Sequence, residues 1–363
     1  MPSPVRRRLL RAGTAVLASL ALTLSVPFAT PAAEAAPAAP AAPAGTVASD
    51  PLVVSSYNIK CANCFDGKPN EKPWLERRFK VVDVIRYEDP DILGVQEASQ
   101  GWLKSASGQQ VDKSQFEDLV QRLGRPYKLT NSKRNNCVRH TTPTSCTYKY
   151  QGASQGTKLI YNSDRVTYYG TGGSRKLTSK SGANARYAVW AVFTQESTGK
   201  KVFVVNTHLE PRDASSSRTN WELRRKQAQD VVALIRDKRP AGMPMLLLGD
   251  FNSHKWTQYG NAPYAVFKDY GLVDPLGNAD KTTTRTVGAT VEKRVQTNVS
   301  SYNNFERKAP AFDYVNGTYL DYVMTSKMRV SRWKTVANLD SSGRFKGTIP
   351  SDHNMVRATV WLP

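Results

Sequence analysis

The chain has 363 residues and a formal net charge of +21 at pH 7. Hydrophobic residues make up 40% of it and aromatic residues 9%. These are ordinary values for a globular protein, so they exclude a disordered chain and leave room for a large core. The positive charge favours polyanionic partners such as nucleic acid, anionic lipid or cell-wall phosphate. Solubility or wall adhesion without a specific partner is the alternative.

The first residues have the pattern of an export signal. A basic cluster, Arg6 to Arg11, precedes an apolar stretch from Ala12 to Ala29, and small residues near Ala36 offer a cleavage site. We therefore predict a signal peptide over residues 1–36 and a secreted protein. The arginines also fit a twin-arginine signal, so both export routes stay open, and a retained membrane anchor is the alternative. Cleavage would leave a charge of about +18.

Residues 31–44 are almost entirely Ala and Pro, a composition typical of a stiff, solvated tether. We predict a linker over residues 37–49 and one domain over residues 50–363. No later run approaches the ~18 apolar residues that a membrane-spanning helix needs. We therefore expect no stable membrane insertion, and we expect a monomer.

The chain has four cysteines, at Cys61, Cys64, Cys137 and Cys146. An even number suits an oxidising compartment, and the simplest pairing is Cys61–Cys64 with Cys137–Cys146, although three pairings are possible. A redox motif at the first pair and a four-cysteine zinc site are the alternatives.

Short apolar runs alternate along the chain with helical patterns. In chain order, the predicted strands are Leu52–Val54, Ile92–Val95, Lys158–Tyr161, Tyr187–Phe193, Val202–Val205, Met245–Leu248, Tyr319–Met324 and Met355–Leu362. The predicted helices are Trp74–Arg86, Ser114–Leu123 and Ser217–Arg236. Apolar runs without alternation indicate strands that are covered on both faces. The fold class is therefore α/β, with sheets inside and helices outside.

Several of these runs stop in a polar cluster. The clusters are Ser-Tyr-Asn-Ile at 56–59, Gly-Val-Gln-Glu at 94–97, Asn-Thr-His-Leu-Glu at 206–210, Gly-Asp-Phe-Asn-Ser at 249–253, Leu-Asp-Tyr-Val at 320–323 and Ser-Asp-His-Asn at 351–354. Five of the six place a carboxylate at the edge of the core. Buried carboxylates are costly unless compensated, and one cation compensates several. Strand carboxyl ends meet at one edge of a sheet, so we expect one common cleft.

In order and spacing, these six motifs resemble the endonuclease/exonuclease/phosphatase superfamily, which includes pancreatic-type deoxyribonuclease and bacterial sphingomyelinases. The resemblance extends from Leu52 to Leu362. It implies a four-layer α/β sandwich, in which two packed mixed β-sheets are flanked by helices. It also implies a divalent-metal-dependent phosphoric ester hydrolase in which water attacks the phosphorus in line with the leaving group.

The resemblance implies a metal site at Glu97, assisted by Asn58 and Asp352. Carboxylate and amide oxygens are hard ligands, which suit Mg²⁺, and also Mn²⁺ or Ca²⁺, better than zinc. Such an ion neutralises phosphate oxygens and the charge that develops in the transition state.

The resemblance also implies catalytic residues. Asp250 and Asn252 position the attacking water and a phosphate oxygen, or bind a second ion. His208 and His353 flank the scissile phosphate, and Asp321 orients His353. An Asp–His pair fixes the imidazole tautomer and raises its pKa. The general base is either Asp250 or a histidine.

The predicted substrate is DNA, with RNA open, because the charge is accompanied by two basic stretches interleaved with aromatic residues, Lys133 to Tyr150 and Arg329 to Lys334. A solvated basic face is the alternative for both. A sphingomyelinase-like lipid phosphodiesterase would need an exposed apolar hairpin, but the segment from Asp274 to Thr318 is rich in Thr, Asn, Lys and Arg. A phosphomonoesterase and a non-catalytic polyanion-binding protein are the remaining alternatives.

Overall fold

The structure is a computed structural model that describes residues 50–363 except 106, 131–136, 143–144, 149–155, 182–183, 212–217, 279–280, 282–285, 287 and 313–314. Only the backbone is described for residues 110, 112, 137–142 and 145–148. The predicted signal peptide and linker lie outside the described residues and stay predictions. The same holds for the side chains of the predicted Cys137–Cys146 pair.

The described elements are numbered here in chain order. The strands span Leu52–Asn58 (β1), Ile92–Gln96 (β2), Trp102–Lys104 (β3), Gln110–Ser114 (β4), Tyr127–Leu129 (β5), Cys137–Thr142 (β6), Ser145–Tyr148 (β7), Lys158–Asn162 (β8), Val166–Lys176 (β9), Tyr187–Gln195 (β10), Lys201–His208 (β11), Met245–Asp250 (β12), Lys293–Val295 (β13), Asp321–Thr325 (β14), Arg329–Val336 (β15) and Met355–Trp361 (β16). The helices span Trp74–Glu88 (α1), Gln115–Leu123 (α2), Arg218–Lys238 (α3) and Ala262–Asp269 (α4).

Two mixed sheets form the centre of the fold. The first has the strand order β13-β15-β16-β1-β2-β8-β5, and the second has the order β14-β12-β11-β10-β9. Two separate hairpins, β3-β4 and β6-β7, lie outside them. The predicted α/β sandwich of two mixed sheets with flanking helices is confirmed.

In each sheet one pair of parallel strands ends in the polar motifs. In the first sheet β1 runs parallel to β2, which pairs Asn58 with Gln96. In the second, β11 runs parallel to β12, which pairs His208 with Asp250. The antiparallel strand β14 begins at Asp321, directly opposite Asp250. Strand β16 begins just after His353. Because parallel strands end at one edge, the polar motifs gather at one edge of each sheet.

Apolar side chains hold the layers together. One buried cluster joins strands of both sheets to α3 and α4, and it includes Val54, Phe203, Leu246, Val231 and Phe267. A second cluster packs α1 and α2 against the first sheet and includes Val81, Leu93, Phe116 and Leu119. Both clusters consist of the apolar runs that the sequence shows. No helix among the described residues combines the length and hydropathy needed to cross a membrane.

A polar contact links the two sheets beneath the strand ends. Asn206 on β11 donates from Nδ2 to the carbonyl oxygens of Val95 (3.0 Å) and Lys158 (2.7 Å) in the first sheet. Gln96 donates to Asn206 Oδ1 at 2.7 Å. Gly94 leaves room for this amide, since a Cβ there would lie 2.8 Å from Asn206 Cγ. The contact fixes how the two sheet edges face each other.

The eight strands and three helices expected from the sequence are present, with small shifts at their ends. The sequence patterns missed β9, β13, the short strands β3 to β7, and α4. The sequence patterns also indicated a basic surface stretch where β15 lies, but β15 is a strand paired with β13 and β16.

We predict that Gly94→Ala and Asn206→Ala each lower the free energy of unfolding by about 1–3 kcal/mol. The first crowds the Asn206 amide, and the second removes the donor from two buried carbonyls. The double variant should lose less than the sum, because Asn206→Ala makes room for the new methyl group. Urea unfolding of the four proteins measures this, and additive losses would contradict the proposed contact.

Candidate active site

The first sheet brings an amide and a carboxylate together. Asn58 ends β1, and Glu97 follows β2 with a left-handed backbone, φ 59°. Few residues with side chains adopt that conformation. Asn58 Nδ2 donates to Glu97 Oε1 at 3.1 Å, and the backbone N–H of Cys61 donates to Glu97 Oε2 at 2.9 Å. Glu97 is therefore held through both carboxylate oxygens.

The second sheet supplies a histidine and a second carboxylate. His208 Nε2 lies 3.6 Å from Asp250 Oδ2. Asn252 also has a left-handed backbone, φ 47°, and its backbone N–H donates to Asp250 Oδ1 at 2.8 Å. The Asn252 side chain donates to Leu209 O at 3.1 Å. These contacts fix one oxygen of Asp250 and direct the other towards His208.

Residues from both sheets contact Asp250 Oδ2. Asn58 Nδ2 from the first sheet donates to it at 3.0 Å. His353 Nε2 lies 3.8 Å from the same oxygen, and His353 Nδ1 lies 2.8 Å from Asp321 Oδ2. The last contact is the one that the predicted orienting role of Asp321 requires.

Asp352 joins the cluster from the loop before β16. Ser351 Oγ donates to Asn58 O at 2.7 Å, which fixes this loop against the end of β1. Lys60 Nζ lies 3.8 Å from Asp352 Oδ2. The eight residues predicted from the sequence therefore form one cluster at the strand ends, and their individual roles stay predictions.

His353 is surrounded by negative charge. Burial lowers the pKa of its imidazole, but the charges of Asp321 and Asp250 and the hydrogen bond to Asp321 raise this pKa to about 10. His353 is therefore an imidazolium at neutral pH, and both ring nitrogens carry protons. Nδ1–H donates to Asp321, and Nε2–H faces Asp250.

His208, in contrast, is in the neutral protonation state. Burial and the neighbouring Arg186 guanidinium lower the pKa of its imidazole to about 4, so the ring is neutral at pH 7. Arg186 Nη1 lies 3.4 Å from His208 Nδ1. Because a guanidinium can only donate, Nδ1 is the acceptor and the ring proton lies on Nε2. Both histidines thus present an Nε2–H towards the same oxygen.

Burial and mutual repulsion act on the carboxylates. Burial, together with the charge of Asp321, raises the pKa of Asp250. Burial and the charge of Glu97 also raise the pKa of Asp352. Burial raises the pKa of Glu97 as well, but nearby histidines and its hydrogen bonds lower it to about 2. Glu97 titrates below the pKa of His208, where both imidazoles are protonated, so both contribute to this lowering.

Two groups of side chains meet the requirements for a metal site to different degrees. Single ligand atoms of Asp250, Asp321 and His353 all lie within 4.8 Å of one another. Within this group His353 Nδ1 already pairs with Asp321 Oδ2 at 2.8 Å, and His353 Nε2 lies 3.8 Å from Asp250 Oδ2, so we describe it as an ion-paired triad. The other group is Glu97 with Asp352, whose oxygens suit a hard divalent cation.

Asn58 faces this second group with its amide nitrogen. Its oxygen accepts a hydrogen bond from the backbone N–H of Lys60 at 3.0 Å, which fixes the orientation of the amide. Asn58 therefore steadies Glu97 by donating to it. The predicted ligand role of Asn58 would require the amide oxygen to turn, and it stays a prediction.

Three residues at the site were missed from the sequence. Lys60 contacts Asp352, and Arg186 contacts His208. The ring of Tyr302 lies edge-on to that of His353, with centroids 5.0 Å apart. The antiparallel register of β10 and β11 places residue 187 opposite His208. Arg186 is the preceding residue, so it could have been found by counting back along this hairpin.

Other polar and aromatic residues near the site have packing roles. Gln227 Oε1 accepts from Glu210 N at 2.9 Å, and Arg224 donates to Glu210 O at 2.9 Å. These contacts fasten the loop after His208 to α3. Tyr161 packs on Phe193 with ring centroids 5.5 Å apart, so it belongs to the core.

One disulfide is present beside the site, between Cys61 and Cys64. This confirms the first predicted pair, and its loop supplies the N–H that binds Glu97.

The basic stretch from Arg329 to Lys334 does not form the nucleic-acid surface that we expected. Trp333 is 1% exposed and lies in the core. Arg329 pairs with Glu292 at 2.6 Å, and Lys334 pairs with Glu88. The alternation of basic and apolar residues arises because one face of β15 is buried. The other stretch, Lys133 to Tyr150, falls on residues whose side chains are outside the described ones.

Two mixed sheets with carboxylates, amides and two histidines at their strand ends define a phosphoric ester hydrolase. The chain belongs to the endonuclease/exonuclease/phosphatase family, whose model matches residues 55–353. A comparison with curated proteins gives no match.

Solved structures share the fold. An endonuclease/exonuclease/phosphatase family protein from Bacteroides thetaiotaomicron is 19% identical, with a TM-score of 0.61 over 87% of this chain and 99% of that one. A mannosyl-6-phosphatase from the same species is 20% identical, with a TM-score of 0.59 over 85% and 99%. The human nocturnin catalytic domain is 18% identical, with a TM-score of 0.52 over 86% and 94%.

We predict that His208→Ala and His353→Ala each lower kcat by about 10²–10⁴-fold, because each removes an N–H directed at the reaction centre. The kcat is measured on a chromogenic phosphodiester, and circular dichroism should remain close to that of the unaltered protein. Retained turnover in both variants would refute the assignment.

Asp321→Asn tests the charge on His353. Without the Asp321 charge the pKa of His353 falls from about 10 towards its ordinary value. A proton donor is lost as pH rises through its pKa, so the decline of kcat at alkaline pH should begin nearer neutrality. A kcat profile from pH 6 to 10 measures this, with the exposed Asp83→Asn as the control. Identical alkaline limbs in all three proteins would contradict a protonated His353.

Proposed function

We propose that this protein is a secreted, divalent-metal-dependent nuclease that hydrolyses phosphodiester bonds of DNA. The observation that supports it most is the meeting of His208, His353 and Asn58 at Asp250 Oδ2, where donors and a base face one reaction centre. Such an arrangement is suited to a phosphate, whose oxygens accept several hydrogen bonds at once.

The charge distribution supports a polyanionic substrate. The net charge of +21 favours rapid association with DNA. The segment between β5 and β8 contains Lys133, Arg134, Arg139 and Lys149 and no acidic residue. Its end reaches the site, where Gly156 O accepts from Ala98 N at 2.9 Å, next to Glu97. Arg186 adds a guanidinium beside His208.

The residues can be given roles in an in-line reaction. A divalent cation held by Glu97 and Asp352, Mg²⁺ in our proposal, would neutralise phosphate oxygens and the developing negative charge. Asp250 accepts a proton as the water oxygen bonds to phosphorus and the bond to the leaving oxygen breaks. His353 gives its proton to the leaving oxygen, and His208 Nε2–H donates to a phosphate oxygen. The 3.8 Å between His353 Nε2 and Asp250 Oδ2 offers a short return path for the proton.

Secretion is part of the proposal. The basic and apolar pattern of residues 1–36 supports export, and the Cys61–Cys64 disulfide fits an oxidising compartment. We further propose that the protein acts as a monomer outside the cell.

Lipid substrates are less favoured. Among the described residues the large exposed hydrophobic side chains are spread over α1, β9 and several loops and do not form one membrane-directed hairpin. They are Phe65, Phe79, Tyr87, Tyr169, Tyr259 and Phe312. A phosphomonoesterase is the main competing function, and one protein of the same fold is named as a mannosyl-6-phosphatase.

A substrate panel tests the proposal on protein that begins at residue 37. Plasmid DNA, RNA, sphingomyelin, a chromogenic diester and mannose 6-phosphate are compared with Mg²⁺, Mn²⁺, Ca²⁺ or EDTA. We expect DNA nicking with Mg²⁺, no nicking in EDTA and intact sphingomyelin. Rapid hydrolysis of mannose 6-phosphate with uncut DNA would replace the nuclease with a phosphomonoesterase.

A further inference from the structure

A cavity of about 390 Å³ opens beside the reaction centre. Asn252 and Tyr302 line it, and the ring of Tyr302 lies edge-on to that of His353, with centroids 5.0 Å apart. Leu320, which precedes Asp321, also lines it. A group bonded to the phosphate at His353 could therefore extend directly into this side cavity.

The lining of the side cavity differs from the overall charge of the protein. Its described residues include no lysine or arginine, and its single acidic residue is Glu306. Its apolar surface comes from Phe312, Tyr302 and Leu320, with prolines at the rim. Phe312 is 37% exposed. Such a lining is poorly suited to a second phosphate and well suited to a neutral planar group with polar edges.

An aromatic platform lies near the rim of the side cavity and consists of Arg218, Trp221 and Tyr259. The guanidinium of Arg218 lies 4.3 Å from the centre of the Trp221 ring and 5.2 Å from that of Tyr259. The two rings are 6.3 Å apart. Tyr259 is 37% exposed. This surface combines a partly exposed tyrosine ring with positive charge, since Arg225 also lies 5.9 Å from the centre of the Trp221 ring.

Hydrogen bonds connect the aromatic platform to the side cavity. Trp221 Nε1 donates to Gly260 O at 2.9 Å, and Gly260 N donates to Thr257 O at 2.9 Å. Thr257 itself lines the side cavity. The reaction centre, the side cavity and the aromatic platform are thus consecutive parts of one surface.

We propose that this surface binds single-stranded DNA, with the nucleobase beside the scissile phosphate in the side cavity and a further base stacked on the aromatic platform. This inference rests on the proposed nuclease function. Bases of a duplex are paired and stacked, so they cannot enter the side cavity without unpairing. Bases of a single strand have free faces, and stacking on aromatic side chains stabilises their binding. The enzyme therefore prefers single strands over duplex.

The test compares kcat/KM for one labelled oligodeoxynucleotide as a single strand and as a duplex, with Mg²⁺. The unaltered protein should prefer the single strand about tenfold or more. The double variant Arg218→Ala/Tyr259→Ala should raise KM for the single strand about tenfold, so the preference declines. A single strand with an abasic residue beside the cleaved phosphate should be a poorer substrate for the unaltered protein, and this arm requires no variant.

Two matched controls lie far from the site. Arg329 is also an exposed arginine stacked on a tryptophan and paired with a glutamate, and Tyr169 is an exposed tyrosine on β9. Arg329→Ala and Tyr169→Ala should keep the single-strand preference. Thermal unfolding shows whether the double variant is folded.

Equal cleavage of single strand and duplex by the unaltered protein would overturn this inference while leaving the nuclease function intact. An unchanged preference in a folded double variant would overturn it as well. If the unaltered protein cuts no DNA yet hydrolyses a phosphomonoester, both the nuclease function and this inference fail.

Discussion

Negative charge gathered between two sheet edges is the constraint on which the site depends. Glu97, Asp250, Asp321 and Asp352 lie in one largely buried cluster. Each ionised carboxylate removed from water costs several kcal/mol unless it is compensated. The chain compensates in part with the His353 imidazolium and with N–H donors from Asn58 and two backbone groups. Burial and the remaining repulsion raise the pKa of Asp250 and Asp352. A bound divalent cation would relieve it, so metal binding and folding stability are linked here.

Amide side chains explain how two separate sheets form one site. Asn58 contacts carboxylates of both sheets, and Asn206 donates to two carbonyls of the opposite sheet. An amide can donate and accept without adding charge, which suits a position between carboxylates. A lysine in place of Asn58 would add charge and could not accept the hydrogen bond from the Lys60 N–H. Gly94 is equally specific, because only a residue without Cβ leaves space for Asn206. Some residues of the six motifs therefore align the two sheets, while others supply the polar groups of the site.

Much of this arrangement could be predicted because apolar strands end abruptly in acids and amides. Glu97 and Asp250 each follow a run that can only be a covered strand, and strands of one sheet end at a common edge. Contacts between distant segments could not be predicted, because the sequence does not reveal the register in which the strands pair. Tyr302 reaches His353 through a bridge from the long segment before β14, and no local pattern indicates it. Strand β9 was missed because Gly170, Gly172 and Gly173 interrupt its pattern. Strand β15 was misinterpreted because its exposed basic residues alternate with a buried tryptophan.

The two histidines show that residue type alone does not determine a catalytic role. Both point Nε2 at the same Asp250 oxygen, at 3.6 and 3.8 Å. Their Nδ1 partners differ, a carboxylate for His353 and a guanidinium for His208. Together with burial, this difference makes His353 cationic and His208 neutral at pH 7. A charged donor can release its proton to a leaving oxygen, whereas a neutral donor of low pKa holds its proton and orients a phosphate oxygen. In the proposed reaction the site therefore combines one proton-transferring and one positioning histidine around a single base. The difference between the two imidazoles comes from the residue that each contacts through Nδ1.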